Sequence, residues 1–212
     1  MKRLIKRILD PFLGKAIARR GEQKQLEEWL KKGAPVPPVH VYKRQLVRRM
    51  GAKYNLHNFI ETGTYKGEMI QAVMDHFPVI HSIEVYEPLY DEACTKFRGR
   101  KKVKLWLGDS AEIMPRILRN LDGSALYWLD GHYSGEGTGR GASDTPILSE
   151  LNVIAARPAK NRDVILIDDA HCFNGNDGYP DLRQLENLVA QDFSAHHYSV
   201  RHNIIRIVPH SL

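Results

Sequence analysis

At 212 residues, 42% of them hydrophobic and 26% charged, the chain has the size and balance of one globular α/β domain with a modest extension. Its formal charge of +6 is uneven: residues 1–50 carry 14 Lys/Arg against 4 Asp/Glu, and the remaining 162 carry 17 against 21. The body is thus mildly acidic, which argues against a nucleic-acid groove and a nucleic-acid partner. Two cysteines, Cys94 and Cys172, fit no metal spacing or disulfide framework, and no apolar run nears the ~20 residues of a bilayer span, so the expectation is cytoplasmic.

Residues 1–20 place Leu4, Ile5, Ile8, Leu9, Phe12, Leu13, Ala16 and Ile17 at helical spacing between Lys and Arg, with Pro11 bending or restarting the helix. Two readings stand: a cationic amphipathic helix in peripheral contact with the inner membrane face, or a helix packed on its own domain or on a second subunit of a homodimer. The segment lacks the h-region and cleavage site of a secretory signal. Residues 22–32 predict a second helix closed by Gly33, residues 34–39 a Pro-rich linker, and residues 40–51 a third helix. Residues 1–50 are read as a basic helical extension and 51–212 as the catalytic domain.

From residue 58 the chain alternates strand and helix. Strands are expected at 58–62, 79–84, 103–107, 125–129 and 163–168, and helices at 67–76, 88–98, 110–121, 145–156 and 180–192. Two short runs, 197–201 and 204–208, close the chain as an antiparallel hairpin turning at His202-Asn203. The pattern implies a mostly parallel sheet covered on both faces.

Ligands of open α/β sheets sit beyond the carboxyl ends of the strands, and five successive strand ends here carry an acid: Glu61, Glu84, Asp109, Asp130 and Asp168-Asp169. The first of them opens Glu61-Thr62-Gly63-Thr64-Tyr65-Lys66-Gly67, an E-x-G-x-Y-x-G loop running into a helix. Glycine lets the backbone approach a nucleotide-like ligand, and the helix N-terminus offers free N–H groups. Tyr65 stands where a dinucleotide fingerprint has glycine, and no Gly-Lys-Ser/Thr follows to make a P-loop. Glu84 lies 23 residues beyond Glu61, the reach of an acid that accepts from both ribose hydroxyls of an adenosine ligand. Asp109-Ser110 fits the adenine side, or a plain helix N-cap.

These features resemble the class I S-adenosylmethionine-dependent methyltransferases over residues 58–208. The resemblance implies a Rossmann-like, seven-stranded, mostly parallel α/β sheet with a C-terminal antiparallel hairpin. It implies cofactor contacts from Glu61, Gly63, Thr64, Tyr65, Gly67, Glu84, Asp109, Ser110 and Asp130. More narrowly, E-T-G-T-Y, L-G-D-S-A-E, W-L-D-G-H-Y-S-G, D-T-P-I-L-x-E-L and V-I-L-I-D-D-A resemble small bacterial methyltransferase-like proteins that accompany glycan biosynthesis. The implied activity is O-methylation of a sugar or glycan-related small molecule.

Asp130, Asp168 and Asp169 end adjacent strands, and oxygen ligands so gathered suit a hard divalent cation, Mg²⁺ or Mn²⁺. The arrangement is similar to the catechol O-methyltransferase-like enzymes, where an acid after strand four and an Asp-Asn pair after strand five hold Mg²⁺. Placing Asp169 first in the pair puts Ala170 at the Asn position; one residue earlier, Asp168 and Asp169 make the pair. Neither registration reproduces the Asn. His171 is an alternative ligand that would favour Mn²⁺, Fe²⁺ or Zn²⁺. A sugar hydroxyl needs a base or a cation to become nucleophilic, and His132 is the first candidate base, with Asp130 and His171 beside it. The glycine-rich loop 131–141 reads as a lid carrying Tyr133 and Arg140 toward the acceptor, with Phe173 on a second wall.

Three rival readings remain. A nucleic-acid methyltransferase would put prolines and an aromatic after strand four, where this chain has Asp130-Gly131-His132-Tyr133. A non-catalytic cofactor-binding module docked to a membrane-associated assembly would leave the acids and histidines superfluous. NAD-dependent oxidoreduction fits Tyr65 and the final hairpin poorly.

Overall fold

The computed structural model describes residues 20–131, 145–176 and 178–210. Seven strands form one sheet: β1 (Asn58–Thr62), β2 (Val79–Glu84), β3 (Val103–Leu107), β4 (Ala125–Leu129), β5 (Val164–Ile167), β6 (His196–Arg201) and β7 (Ile204–Pro209). Their order is β3-β2-β1-β4-β5-β7-β6. The first five pair in parallel, β7 runs antiparallel to β5, and β6 antiparallel to β7. The order of connection reverses between β1 and β4, which opens a crevice at their carboxyl ends.

Strands buried on both faces alternate which face each residue serves. Along β4, Ala125, Tyr127 and Leu129 join one apolar cluster, with Ile113, Leu151 and Leu185 from the helices on that side. Leu126 and Trp128 join the other, with Phe59, Ile80 and Leu166. The first face is covered by α5 (Ser110–Leu118), α6 (Ile147–Ala155) and α7 (Leu182–Asp192). The second is covered by α2 (His40–Lys53), α3 (Glu68–Val73) and α4 (Glu87–Lys96), and by Trp29 of α1, described over 20–31.

Helix α2 buries Val41, Tyr42, Leu46 and Val47 in the same cluster as the sheet residues. Burying Leu46 and Val47 contributes roughly 1.5–3 kcal/mol each, enough to hold the helix down. Polar contacts fix its register: Arg48 Nε donates to Ala72 O at 2.8 Å, and Arg44 pairs with Glu68 at 3.3 Å. Arg206 Nη2 donates to Tyr42 Oη at 2.7 Å, and the Tyr42 ring lies 4.8 Å from Trp29 and 5.1 Å from His202.

Helix α7 starts with a capping box, Asp181 accepting from Gln184 N–H and Gln184 reaching back to Asp181 N–H. At the amino ends of β4 and β5 the buried Asp163 accepts from Ala125 N–H at 2.8 Å and pairs with the buried Arg157, which also donates to Gly123 O. His202 and Asn203 make the final turn with both φ angles positive, 52° and 60°. No helix among the described residues is long and apolar enough to cross a membrane.

Candidate functional site

The loop after β1 is pinned at close quarters. Gly63 has φ +85°, and a Cβ there would stand 2.6 Å from the Asp130 carbonyl oxygen, so the ends of β1 and β4 approach only because this residue is glycine. Tyr65 also adopts the left-handed region, φ 45°, and its N–H donates to Glu84 Oε2 at 2.8 Å. The Tyr65 side chain is 52% exposed and lies beside Pro88, Asp91 and Lys96, so only its backbone faces Glu84. Glu84 takes a second N–H, from Tyr86 at 3.0 Å, on its other oxygen. One carboxylate thus clamps the loops after β1 and β2. Gly67, φ 64°, starts α3.

Beneath that loop runs a buried chain of hydroxyls. Ser82 Oγ donates to Glu61 Oε1 at 2.6 Å; having spent its proton there, it accepts from Thr64 Oγ1 at 2.5 Å. Burial pushes the Glu61 carboxyl up to about 8; the Ser82 bond draws it back, while Asp130 and Glu84 add to the rise. Asp109 caps α5 by accepting from Ala111 N–H at 2.9 Å, and Ser110 is buried beside it.

The ends of β4 and β5 bring Asp130, Asp168 and Asp169 together, with carboxylate oxygens within 4.8 Å of one another. Asp168 Oδ1 accepts from Asp169 N–H at 2.9 Å, and its Oδ2 is bonded by Lys43 Nζ of α2. Asp169, at φ 51°, accepts from Asn203 Nδ2 at 3.1 Å. The same carboxamide takes the His171 N–H on Oδ1 at 2.9 Å and lies 2.9 Å from His171 Nδ1. Asn203 Oδ1 also stands 3.1 Å from Nδ1, so the carboxamide can meet either imidazole tautomer. The His171 side chain is 59% exposed.

Burial, then the neighbouring Asp168, push Asp130 up to about 8 against the pull of Lys43. Burial alone would lower the Lys43 ammonium, but Asp168, Asp130 and Asp169 more than offset it, so the ammonium keeps its charge.

A cavity of about 20 Å³, room for one water, lies against Asp130, Thr145, Glu150, Asp168, Phe173 and Tyr179. Phe173 is buried edge-on to Tyr179, ring centroids 5.1 Å apart. Burial lifts the Glu150 carboxyl to about 7, despite the facing Ser110 and Thr62 hydroxyls, and its Oε1 has no partner among the described residues. His132, Tyr133 and Arg140 lie outside the described residues.

No family model and no curated protein matches the chain in sequence. Solved structures do match it in shape. The O-methyltransferase TomG of Streptomyces achromogenes, involved in tomaymycin synthesis and bound to S-adenosylmethionine, superposes with TM-score 0.54 at 15% identity over 89% of each chain. A Bacillus cereus O-methyltransferase bound to S-adenosylhomocysteine gives 0.54 at 15% identity, over 88% of this chain and 90% of that one. The Podospora anserina methyltransferase PaMTH1, also bound to S-adenosylhomocysteine, gives 0.56 at 14% identity, over 94% and 96%. The chain has a methyltransferase fold.

Within the methyltransferase fold the carboxylate cluster offers the right oxygens for a divalent cation, yet Lys43 already bonds one of them. A dication held about 4 Å from that ammonium would be repelled by roughly 8 kcal/mol at an effective dielectric of about 20. Asp168 already accepts the Asp169 N–H on one oxygen and the Lys43 ammonium on the other, and Asn203 meets the cluster through its nitrogen, donating Nδ2–H to Asp169. The residues present do not fit a metal with Lys43 in place.

Lys43, Asn203 and Glu150 went unread in the sequence. Lys43 is one basic residue of a basic helix, 125 positions from Asp168, and nothing local marks it. Asn203 shows only as a turn residue. Glu150 did carry a signal, an acid on the apolar stripe of α6 between Ile147, Leu151 and Ile154.

Proposed function

We propose that this protein transfers a methyl group from S-adenosylmethionine to oxygen, and that the acceptor is a hydroxyl of a sugar or glycan-linked small molecule. The observation that carries the reading is the Glu84 clamp on the Gly63–Tyr65 loop, set at the switch point of a sheet with the methyltransferase strand order. Each Glu84 oxygen takes one N–H and retains capacity for a ribose hydroxyl. Gly63 lets the backbone close on the methionine portion, and Asp109 and Ser110 bound the adenine side. When bound, the sulfonium supplies an electrophilic methyl group.

The chain's part is to hold the acceptor oxygen in line with that methyl, exclude water, and take the hydroxyl proton. His132 is the proposed base, with Asp130 two residues before it as a second proton acceptor and Asn203 orienting His171 at the rim. Tyr133, Arg140 and Phe173 are the proposed acceptor contacts. The sugar class rests on the likeness of the sequence motifs to glycan-associated proteins, and the O-methyltransferase neighbours support oxygen as the target atom.

Calorimetric titration with S-adenosylhomocysteine, followed by a methyl-transfer screen over nucleotide sugars and glycans, tests both halves. No heat of binding in any condition overturns the methyl-donor reading. Binding with transfer only to nitrogen or carbon acceptors overturns the acceptor reading.

A further inference from the structure

The acidic cluster at the ends of β4 and β5 has its own counter-charge. Lys43 Nζ bonds Asp168 Oδ2 with both side chains withdrawn from solvent, 12% and 1% exposed. The lysine is not a surface residue that has drifted in. It follows Tyr42, which is locked by Arg206, Trp29 and His202, and it precedes Arg44 and Arg48, which tie α2 to α3. On the cluster's side, Asp168 has one oxygen on Asp169 N–H and the other on Lys43, while Asn203 holds Asp169.

We propose that Lys43 is the resident cation of this cluster, occupying the place of a divalent metal, and that the protein therefore holds no metal there. Lys43 is a positioning residue: it keeps Asp168 seated at the end of β5 and supplies a fixed positive charge beside Asp130. The occupancy claim stands on the geometry of the cluster alone. Its catalytic corollary, methyl transfer without divalent cations, rests in addition on the proposed function.

The test uses the full chain and Mn²⁺, with free Mn²⁺ followed by electron paramagnetic resonance. Wild type and Lys43→Arg are expected to show no Asp130-dependent binding up to about 1 mM, whereas Lys43→Met binds at least about tenfold more tightly than wild type. Adding Asp130→Asn to Lys43→Met should abolish the gain. Two results overturn the proposal: micromolar Mn²⁺ binding by wild type that Asp130→Asn removes, or a Lys43→Met protein of native circular dichroism that gains nothing. Should Lys43→Met fail to fold, the wild-type and Asp130→Asn titrations decide the matter between them. S-adenosylhomocysteine titrated into the same samples keeps the two ideas apart. Its failure to bind wild type sinks the methyl-donor reading and leaves the Mn²⁺ result standing.

Discussion

Glu61 is a carboxyl buried under the loop after β1, with a single hydroxyl bonded to it, and replacing it by glutamine should change how stability depends on pH. In the unfolded chain the group titrates near 4.5; in the folded protein, burial lifts it to about 8. Between those values the folded state holds one more proton than the unfolded state. Stability from this group is therefore complete below about pH 4.5, falls by about 1.36 kcal/mol per pH unit, and is gone above about 8. Taken at face value the whole loss is roughly 5 kcal/mol, an upper bound for a buried group that relaxation and water entry will reduce. Gln at this position still accepts from Ser82 and has no proton to lose. Urea unfolding at half-unit steps from pH 5 to 8.5 should give Glu61→Gln a shallower decline than wild type. The difference in slope isolates Glu61 from Asp130 and Glu150, which titrate in the same window. Parallel slopes would refute the reasoning.

Two further outcomes follow from close contacts. Gly63→Ala forces a Cβ to within 2.6 Å of the Asp130 carbonyl at a positive φ. It should cost about 2 kcal/mol or more, a thermal midpoint lower by about 4–8 °C, and S-adenosylhomocysteine affinity should fall with it; an unchanged melting curve would show that β1 and β4 can part without cost. Arg157→Met strands the buried Asp163 carboxylate and should cost about 3–5 kcal/mol in urea unfolding, most of it recovered when Asp163→Asn is added; no recovery would mean that lost packing, not lost charge, is the cause.

Much of the fold was legible because the strands are short, β-branched or aromatic runs bounded by turn residues. The expected 58–62, 79–84, 103–107 and 125–129 coincide with β1 to β4. Helix ends were less so. The helix expected over 67–76 is shorter, α3 ending at Val73, where His76 N–H turns back to Val73 O and Phe77 drops into the core. The acids at the strand ends were readable from topology alone, since an open α/β sheet dictates where its crevice lies. What stayed hidden was everything that needs through-space proximity. Tyr65 adopts a glycine-like φ that its identity does not announce, held there by an N–H bond to a residue on another strand. Lys43 owes its role to the docking of α2, which the sequence shows only as a third helix ahead of the first strand.

That docking ties two distant parts of the chain into one inheritance. A fragment beginning at residue 51 would keep every strand-end acid and every glycine that defines the fold, and would look complete. It would also strip the cover from Phe59, Ile80 and Leu166, and remove the ammonium that Asp168 bonds. If Lys43 is the resident cation of the cluster, such a piece should bind Mn²⁺ more tightly than the whole chain does. Sequence drift in α2, far from any motif, can therefore change the ion chemistry of the crevice while leaving its signature residues untouched.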